Sequence, residues 1–117
     1  MTPLEGRWQM VRAELDGESA PDLVTRRTQL TLGQGTYVVH FDAQVSDRGT
    51  FELGANPETK TLILHGRTGP NAGRTLPCIY QLVGDRLRIC YGLDGIAPTD
   101  FTTAPKQRRY LATYRRK

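Results

Sequence analysis

The fold is indicated first by residues 75–91, TLPCIYQLVGDRLRICY, which form two alternating runs around Gly84-Asp85. Alternation of apolar and polar residues with a period of two is typical of a half-buried β-strand. A two-residue connection that contains glycine is typical of a tight hairpin. We therefore predict an antiparallel hairpin with three opposed pairs on its inner face: Leu82 with Leu87, Tyr80 with Ile89, and Cys78 with Tyr91.

The same register decides where the two cysteines point. Cys78 falls on the inner face with Tyr80, and Cys90 falls on the outer face with Arg88. Side chains on opposite faces of a sheet cannot form a disulfide without backbone movement, so we expect two free thiols. Arg88 would lower the pKa of the Cys90 thiol, because a neighbouring cation favours the thiolate. No histidine base lies near Cys90 in sequence, and we predict no catalysis there.

Similar alternating runs recur along the whole chain. We predict strands over residues 7–15, 28–32, 36–43, 49–53, 60–65, 75–83, 86–91 and 107–115. Residues 20–25 have room for at most a short helical turn, and Ser46-Asp47 and Asn56-Pro57-Glu58 are predicted turns. Parallel strands would need crossover helices of a dozen or more residues, for which there is no space. The sequence therefore predicts an all-β fold, an eight-stranded antiparallel up-and-down barrel forming one domain over residues 1–117.

The first predicted strand needs an irregularity. Strict alternation would place Arg12 and Glu14 on the same face as Trp8, where burying unpaired charges would be costly. A β-bulge near Met10-Val11 removes this conflict by shifting the residues that follow. With the bulge, we expect three apolar residues to turn inward: Val11, Ala13 and Leu15.

The charge of the chain is mildly basic. The 117 residues carry 16 basic and 12 acidic side chains, a formal charge of +4. Six basic residues fall at the C-terminal end: Lys106, Arg108, Arg109, Arg115, Arg116 and Lys117. We interpret them as a solvated edge strand, since edge charges discourage sheet association. Nucleic-acid binding through Tyr110, Tyr114 and these arginines is less favoured, because no RNP-like or zinc-knuckle motif accompanies them.

The cellular location follows from what the sequence lacks. No apolar run approaches the roughly 18 residues of a membrane span. Residues 1–8 have neither the basic nor the apolar region of a signal peptide. Two cysteines without metal-ligand spacing fit a reducing compartment. We expect a cytoplasmic protein if the chain is full-length, and the oligomeric state stays open.

The pattern Gly-x-Trp in residues 4–8, LEGRW, opens the first strand. The chain resembles, nearly end to end, a family of short bacterial lipocalin-like domains of unassigned function, expanded in planctomycetes. The matching stretches are residues 4–17, 47–53, 69–75, 79–90 and 98–103. The resemblance implies a lipocalin-like barrel with Trp8 at its closed end, covered by an arginine from near the last strand. Arg109 and Arg115 are the candidates here, and the family implies no reaction.

The longest irregular stretch, residues 92–105, contains Asp100-Phe101. Functional residues favour such loops. We interpret Phe101 instead as a plug of the barrel or a residue packed on its wall. We therefore assign three residues to the core that closes the barrel: Gly6, Trp8 and Phe101.

No catalytic or metal-binding constellation emerges from the remaining polar residues. A zinc site needs three or four ligands, and His40, His65 and Asp42 would supply only part of one. We interpret both histidines as surface residues, and we predict no metal, no cofactor and no enzymatic activity.

Two functions remain open. An eight-stranded barrel can just hold one small ligand, which would be hydrophobic and oriented by tyrosine hydroxyls. The predicted pocket comprises eight inward residues: Tyr37, Val39, Phe51, Leu62, Leu64, Tyr80, Ile89 and Tyr91. Alternatively, a filled barrel serves as a structural or protein-interaction domain. An interior cavity of about 300 Å³ or more would favour the ligand.

Overall fold

The computed structural model describes residues 3–54 and 60–117. Within these ranges the chain forms nine strands and one short helix, α1 (Asp22–Arg26). The strands are β1 (Gly6–Leu15), β2 (Glu18–Ser19), β3 (Thr28–Gly33), β4 (Thr36–Phe41), β5 (Gln44–Leu53), β6 (Thr61–Thr68), β7 (Thr75–Val83), β8 (Arg86–Gly92) and β9 (Arg109–Arg116). The predicted turn at Asn56-Pro57 lies outside the described residues.

Eight of these strands close into an antiparallel up-and-down barrel, which confirms the predicted fold class. Each strand from β3 to β8 pairs with the next one along the chain, β3 also pairs with β1, and β9 returns to pair with β1. The two-residue strand β2 pairs only with the last two residues of β1. Because β9 lies between β8 and β1, it is not the edge strand that its charges suggested.

The β4–β5 connection differs from the prediction. β5 begins at Gln44 and runs through Ser46-Asp47, so the predicted turn there is wrong. The chain turns instead at Asp42-Ala43, where Asp42 adopts a positive φ of 56°. Aspartate tolerates this left-handed conformation better than most residues do. Asp47 is thereby placed in a strand, opposite Val39.

The β7–β8 hairpin has the predicted register. Leu82 opposes Leu87, Tyr80 opposes Ile89, and Cys78 opposes Tyr91. Both cysteines are free thiols, as predicted. Cys90, although it faces outward, has an exposed fraction of 0%.

The predicted irregularity in β1 is confirmed, but its residues are arranged differently. The pairing of β1 with β9 shifts between Met10 and Arg12. Val11 is the extra residue and stays outside, 43% exposed, while Ala13 is buried. Leu15 opposes Tyr110 and shares the inner face with Ala13, but it lies at the end of the strand and is 47% exposed. Of the three predicted residues, only Ala13 is therefore buried in the core.

One end of the barrel is closed around Trp8, whose exposed fraction is 0%. The Trp8 Nε1–H donates a hydrogen bond to the Leu4 carbonyl at 2.9 Å. The Arg116 guanidinium lies 4.2 Å from the centre of the indole ring. Arg116 opposes Trp8 in the β1–β9 pairing, so both side chains share a face. Arg116 therefore covers the tryptophan.

The two arginines predicted for that role lie elsewhere. Arg115 is one position from Arg116 in β9 and is exposed on the other face. Arg109 lies at the opposite end of β9, where its Nη1 donates to Asp100 Oδ1 at 2.8 Å. Neighbouring residues of a strand point to opposite faces, so a shift of one residue decides which arginine meets Trp8. The register between the first and last strands sets that choice.

Residues 93–108, here called the outer segment, run along the outside of the barrel. Phe101 packs against Arg88, with 4.4 Å between the guanidinium carbon and the ring centre. Arg88 faces outward and is also bonded to Gln81 Oε1 through its Nε, at 2.9 Å. Phe101 therefore lies on the outer wall and not in the closing core to which it was assigned. The segment covers this face, which explains why the outward-facing Cys90 is buried.

Candidate functional site

An interior cavity of about 220 Å³ lies at the end of the barrel opposite Trp8. We call it the mouth cavity. Its apolar lining comes mainly from strand residues that alternate inward: Met10, Leu30, Val39, Leu64 and Leu76. Its polar lining includes four tyrosines and one carboxylate: Tyr37, Tyr91, Tyr110, Tyr114 and Asp47. The cavity is thus an aromatic and apolar space with a single acidic group.

The rest of the barrel interior is filled by large side chains. Trp8, Leu62 and Leu87 each have an exposed fraction of 0%, and Ile89 has 1%. Protein interiors packed with buried side chains contain few voids larger than a water molecule. Any small molecule inside the barrel must therefore occupy the mouth cavity.

The structure divides the eight predicted pocket residues into three groups. Four of them line the mouth cavity: Tyr37, Val39, Leu64 and Tyr91. Phe51, Leu62 and Ile89 belong to the filled core. Tyr80 opposes Ile89 on the inner face and packs against the core, but it is half-buried, lines a groove near Leu4 and does not line the mouth cavity.

Two lining tyrosines were missed because β9 was interpreted as an edge strand. Tyr110 opposes Tyr91, and Tyr114 opposes Leu87, so both share the inner face of β8. Tyr114 is 2% exposed. The alternation of Tyr110, Ala112 and Tyr114 was the available signal. These rings face the interior, and the base-stacking patch considered for nucleic acid does not form.

The tyrosines form a connected group on one side of the cavity. The hydroxyls of Tyr91 and Tyr114 are hydrogen-bonded at 2.8 Å. The rings of Tyr91 and Tyr110 lie 5.4 Å apart between centres, tilted by 38°. Tilted aromatic pairs at this separation are favourable contacts. The group presents fixed π faces and hydroxyls to the cavity.

All four lining phenols stay neutral at physiological pH. Burial raises the pKa of Tyr37 to about 12, and the charge of Asp47 and its hydrogen bond add to the effect. Burial also raises the pKa of Tyr91, Tyr110 and Tyr114 above the ordinary value. Desolvation penalises the phenolate in each case. The tyrosines therefore offer hydroxyl groups but no negative charge.

Asp47 is the charged group of the cavity. The Tyr37 hydroxyl donates to Asp47 Oδ1 at 3.4 Å, and Asn71 Nδ2 donates to Oδ2 at 2.8 Å. Both partners are neutral. Among the described residues that line the cavity, none carries a positive charge.

The loop between β6 and β7 forms a roof over the cavity. Gly69, with a φ of +92°, comes so close to β5 that a Cβ would lie 2.5 Å from the Ser46 carbonyl oxygen. Arg74 Nη1 donates to Asn71 Oδ1 at 3.2 Å, and its Nη2 donates to the Leu93 carbonyl. The roof is thus tied to β5 through Asn71 and to the outer segment through Arg74.

Larger concavities lie on the outside of the barrel and are more open to solvent. One of about 650 Å³ lies between the outer segment and strands β1, β8 and β9. Two of the arginines that line this concavity already have partners. Arg88 contacts Gln81 and Phe101, and Arg12 forms an ion pair with Glu14 at 3.0 Å. The mouth cavity lies inside the barrel, between the strands and under the roof, and is less open, so it is the better candidate for a binding site.

The histidines and cysteines do not form a second site. His40 opposes Val45 and His65 opposes Thr50 on β5, five positions apart, or about 16 Å along the strand. His65 Nε2 lies 3.0 Å from Glu52 Oε1. Burial raises the pKa of Cys90, although the charge of Arg109 partly offsets this, so the expected lowering is wrong. No group of three metal-ligating side chains occurs within residues 3–54 and 60–117.

In the part of the chain that the structure describes, no helix has the length and apolar character needed to span a bilayer. Comparison with models of protein families, with curated proteins and with solved structures finds no match to this chain. The resemblance to bacterial lipocalin-like domains therefore stays a prediction. What supports a function is the geometry of the mouth cavity.

Proposed function

We propose that this protein is a lipocalin-like binding module that holds one small molecule in the mouth cavity. The observation that supports this most directly is an interior space lined by apolar strand residues, four tyrosines and one carboxylate. Binding sites for small molecules typically combine an apolar lining with a few convergent polar groups. The resemblance to bacterial lipocalin-like domains agrees with this proposal but names no ligand.

The volume of the cavity limits the size of the ligand. At 220 Å³ it is smaller than the roughly 300 Å³ at the lower end of drug-sized pockets. It corresponds to about seven water molecules at about 30 Å³ each, or a ligand of about ten heavy atoms. A long-chain lipid would not fit, so the hydrophobic ligand inferred from the fold becomes a small amphipathic one.

The size also sets the expected affinity. Small ligands gain between about 0.3 and 1.5 kcal/mol per heavy atom. About ten atoms at roughly 0.6 kcal/mol each give about −6 kcal/mol, a dissociation constant of tens of micromolar. Ligand-observed NMR at millimolar probe concentration detects binding of this strength.

A structural or protein-interaction role with a filled barrel remains the competing function, and the small volume of the cavity favours it. A cavity-filling variant separates the two. Val39 lines the cavity, whereas Val45 is 51% exposed outside it. We therefore propose Val39→Trp as the test variant and Val45→Trp as its matched control.

The first measurement is native mass spectrometry of protein purified from its own host, followed by NMR screening of small amphipathic compounds. We expect a stoichiometric adduct or a set of screening hits that Val39→Trp abolishes and Val45→Trp retains. A clean apo mass together with an empty screen would leave the filled barrel as the function. Equal loss of hits in both variants would also contradict binding in the cavity.

A further inference from the structure

We propose that the ligand of the mouth cavity is a small organic cation, an ammonium group on an aromatic or short apolar body, held by Asp47. This inference rests on the proposed function and specifies the chemical class of its ligand. It depends on three features of the cavity: its charge, the unused capacity of its carboxylate, and the distribution of its apolar and aromatic groups.

The charge of the cavity is negative. Asp47 is half-buried in β5, with its carboxylate reaching the cavity beside Val39 and Tyr37. The remaining lining comprises apolar side chains, neutral phenols and uncharged polar groups. Moving a charge partly out of water is costly unless another charge or several hydrogen bonds compensate. A ligand that brings a positive charge supplies that compensation.

The Asp47 carboxylate has acceptor capacity left over. Two carboxylate oxygens offer about four lone-pair directions. Of these, one accepts the Tyr37 hydroxyl at the long distance of 3.4 Å, and one accepts Asn71 Nδ2 at 2.8 Å. An ammonium group carries three donors and no acceptor, so it matches the open positions. An anionic ligand would meet a carboxylate with no cation in the described lining to offset it.

The neutral part of the lining suits an amphipathic cation. Ser46 and Asp47 on β5 and Asn71 in the roof form one polar side of the cavity, and Thr28 on β3 adds a neutral hydroxyl elsewhere. Apolar groups come from other strands, among them Leu30 on β3 and Leu76 on β7. The tilted rings of Tyr91 and Tyr110 add π faces, which attract ammonium groups and stack with aromatic ones. One end of the ligand is thus charged and the other is apolar.

Three probes of nearly equal shape test the charge directly. They are 2-phenylethylammonium, 2-phenylethanol and phenylacetate, which share the ring and the length of the side chain and differ in the charge of the head group. We expect the ammonium probe to bind about tenfold more tightly than the alcohol, from a charge-assisted contact and the neighbouring π faces. Phenylacetate should bind most weakly.

Asp47→Asn removes the charge with little change in shape. In this variant we expect the ratio of ammonium to alcohol affinity to fall towards one, while the alcohol still binds. Asp22→Asn is the matched control, because it removes the same charge from an exposed residue of α1 that does not line the cavity. It should keep the wild-type ratio. Emission of the single Trp8, buried at the far end, reports whether each variant is folded.

The outcomes separate the two proposals. Equal affinity of the wild type for the ammonium and alcohol probes would overturn the proposal of a cationic ligand and leave the proposed binding function in place. No binding of any probe at several millimolar would overturn both. The ranking of the probes uses the wild-type protein alone, so it decides the inference even if Asp47→Asn does not fold. A preference that survives in folded Asp47→Asn would also overturn the role of Asp47.

Discussion

Replacing Arg116 with methionine should destabilise the closed end of the barrel. The guanidinium lies 4.2 Å from the centre of the Trp8 ring. Its Nη1 donates to the Glu5 carbonyl at 2.9 Å, and its Nη2 donates to the Pro3 carbonyl at 2.7 Å. Arg116 therefore holds the N-terminal peptide across the end of the barrel. Methionine keeps the apolar stem of the side chain but removes its charge and all of its donors.

The magnitude follows from these three contacts. A cation–π contact that is partly shielded from water contributes about 1 kcal/mol. A hydrogen bond from a charged donor contributes about 1.5–3 kcal/mol, and the low end or less applies because the Arg116 side chain is 32% exposed. The expected loss is about 2–3 kcal/mol in the free energy of unfolding. For a domain of this length, that lowers Tm by about 10 °C.

The assay is urea and thermal unfolding followed by Trp8 emission. The matched control is Arg115→Met, since Arg115 is exposed on the outer face and opposes Arg86, a like charge. This control should leave stability within about 0.5 kcal/mol of the wild type, or raise it slightly. Equal effects of the two substitutions, or a loss below about 0.5 kcal/mol for Arg116→Met, would refute the closing role of Arg116.

Three further changes test other parts of the structure. Above about pH 10 the free energy of unfolding should fall as pH rises, because burial raises the pKa of Tyr37 to about 12 and the unfolded chain loses its protons first. Urea titrations at pH 8, 10 and 11 measure this slope, and a flat profile would contradict the burial of the phenols. Gly6→Ala should lower the free energy of unfolding by about 1–3 kcal/mol, because the φ of Gly6 is +136° and a Cβ there would lie 2.7 Å from Arg116 Nη1. The control in the same unfolding assay is Gly33→Ala, where the nearest atom to an added Cβ is 3.9 Å away. Phe101→Ala should increase the rate at which iodoacetamide alkylates Cys90 about tenfold, because the outer segment that covers this thiol loses its contact with Arg88. Peptide mapping measures the rate, and an unchanged rate would mean that Phe101 does not hold the segment in place.

Much of the fold could be predicted because its signals are local. The hairpin from Thr75 to Gly92 depends on alternation and a short glycine-containing turn, and its predicted register is the observed one. The bulge at Met10-Val11 followed from the cost of burying Arg12, which is likewise visible in a few residues. Neighbouring strands in an up-and-down barrel are also neighbours in sequence, so local patterns indicate most of the pairing.

The sequence-based predictions that the structure contradicts concern contacts between distant parts of the chain. The pairing of β1 with β9 decides that Arg116 rather than Arg115 covers Trp8, and that Tyr110 and Tyr114 face inward. The path of the outer segment decides that Phe101 packs on Arg88 outside the barrel. Neither is contained in the alternation of a single strand: in β9 each face carries both apolar and charged residues, so alternation alone does not show which of its faces is enclosed.

The candidate site shows the same division. The amino-acid sequence by itself determined that strands alternate, that Tyr37, Val39, Leu64 and Tyr91 face inward, and that the two thiols cannot pair, since these follow from the two-residue period of a strand. Only the tertiary structure decided that large side chains fill one end and leave about 220 Å³ at the other. It also decided that Asp47 reaches this space, because the chain turns at Asp42-Ala43 and β5, which begins at Gln44, therefore includes Asp47. Barrel closure and roof packing join residues that are far apart in sequence, and the composition of the cavity depends on those long-range contacts.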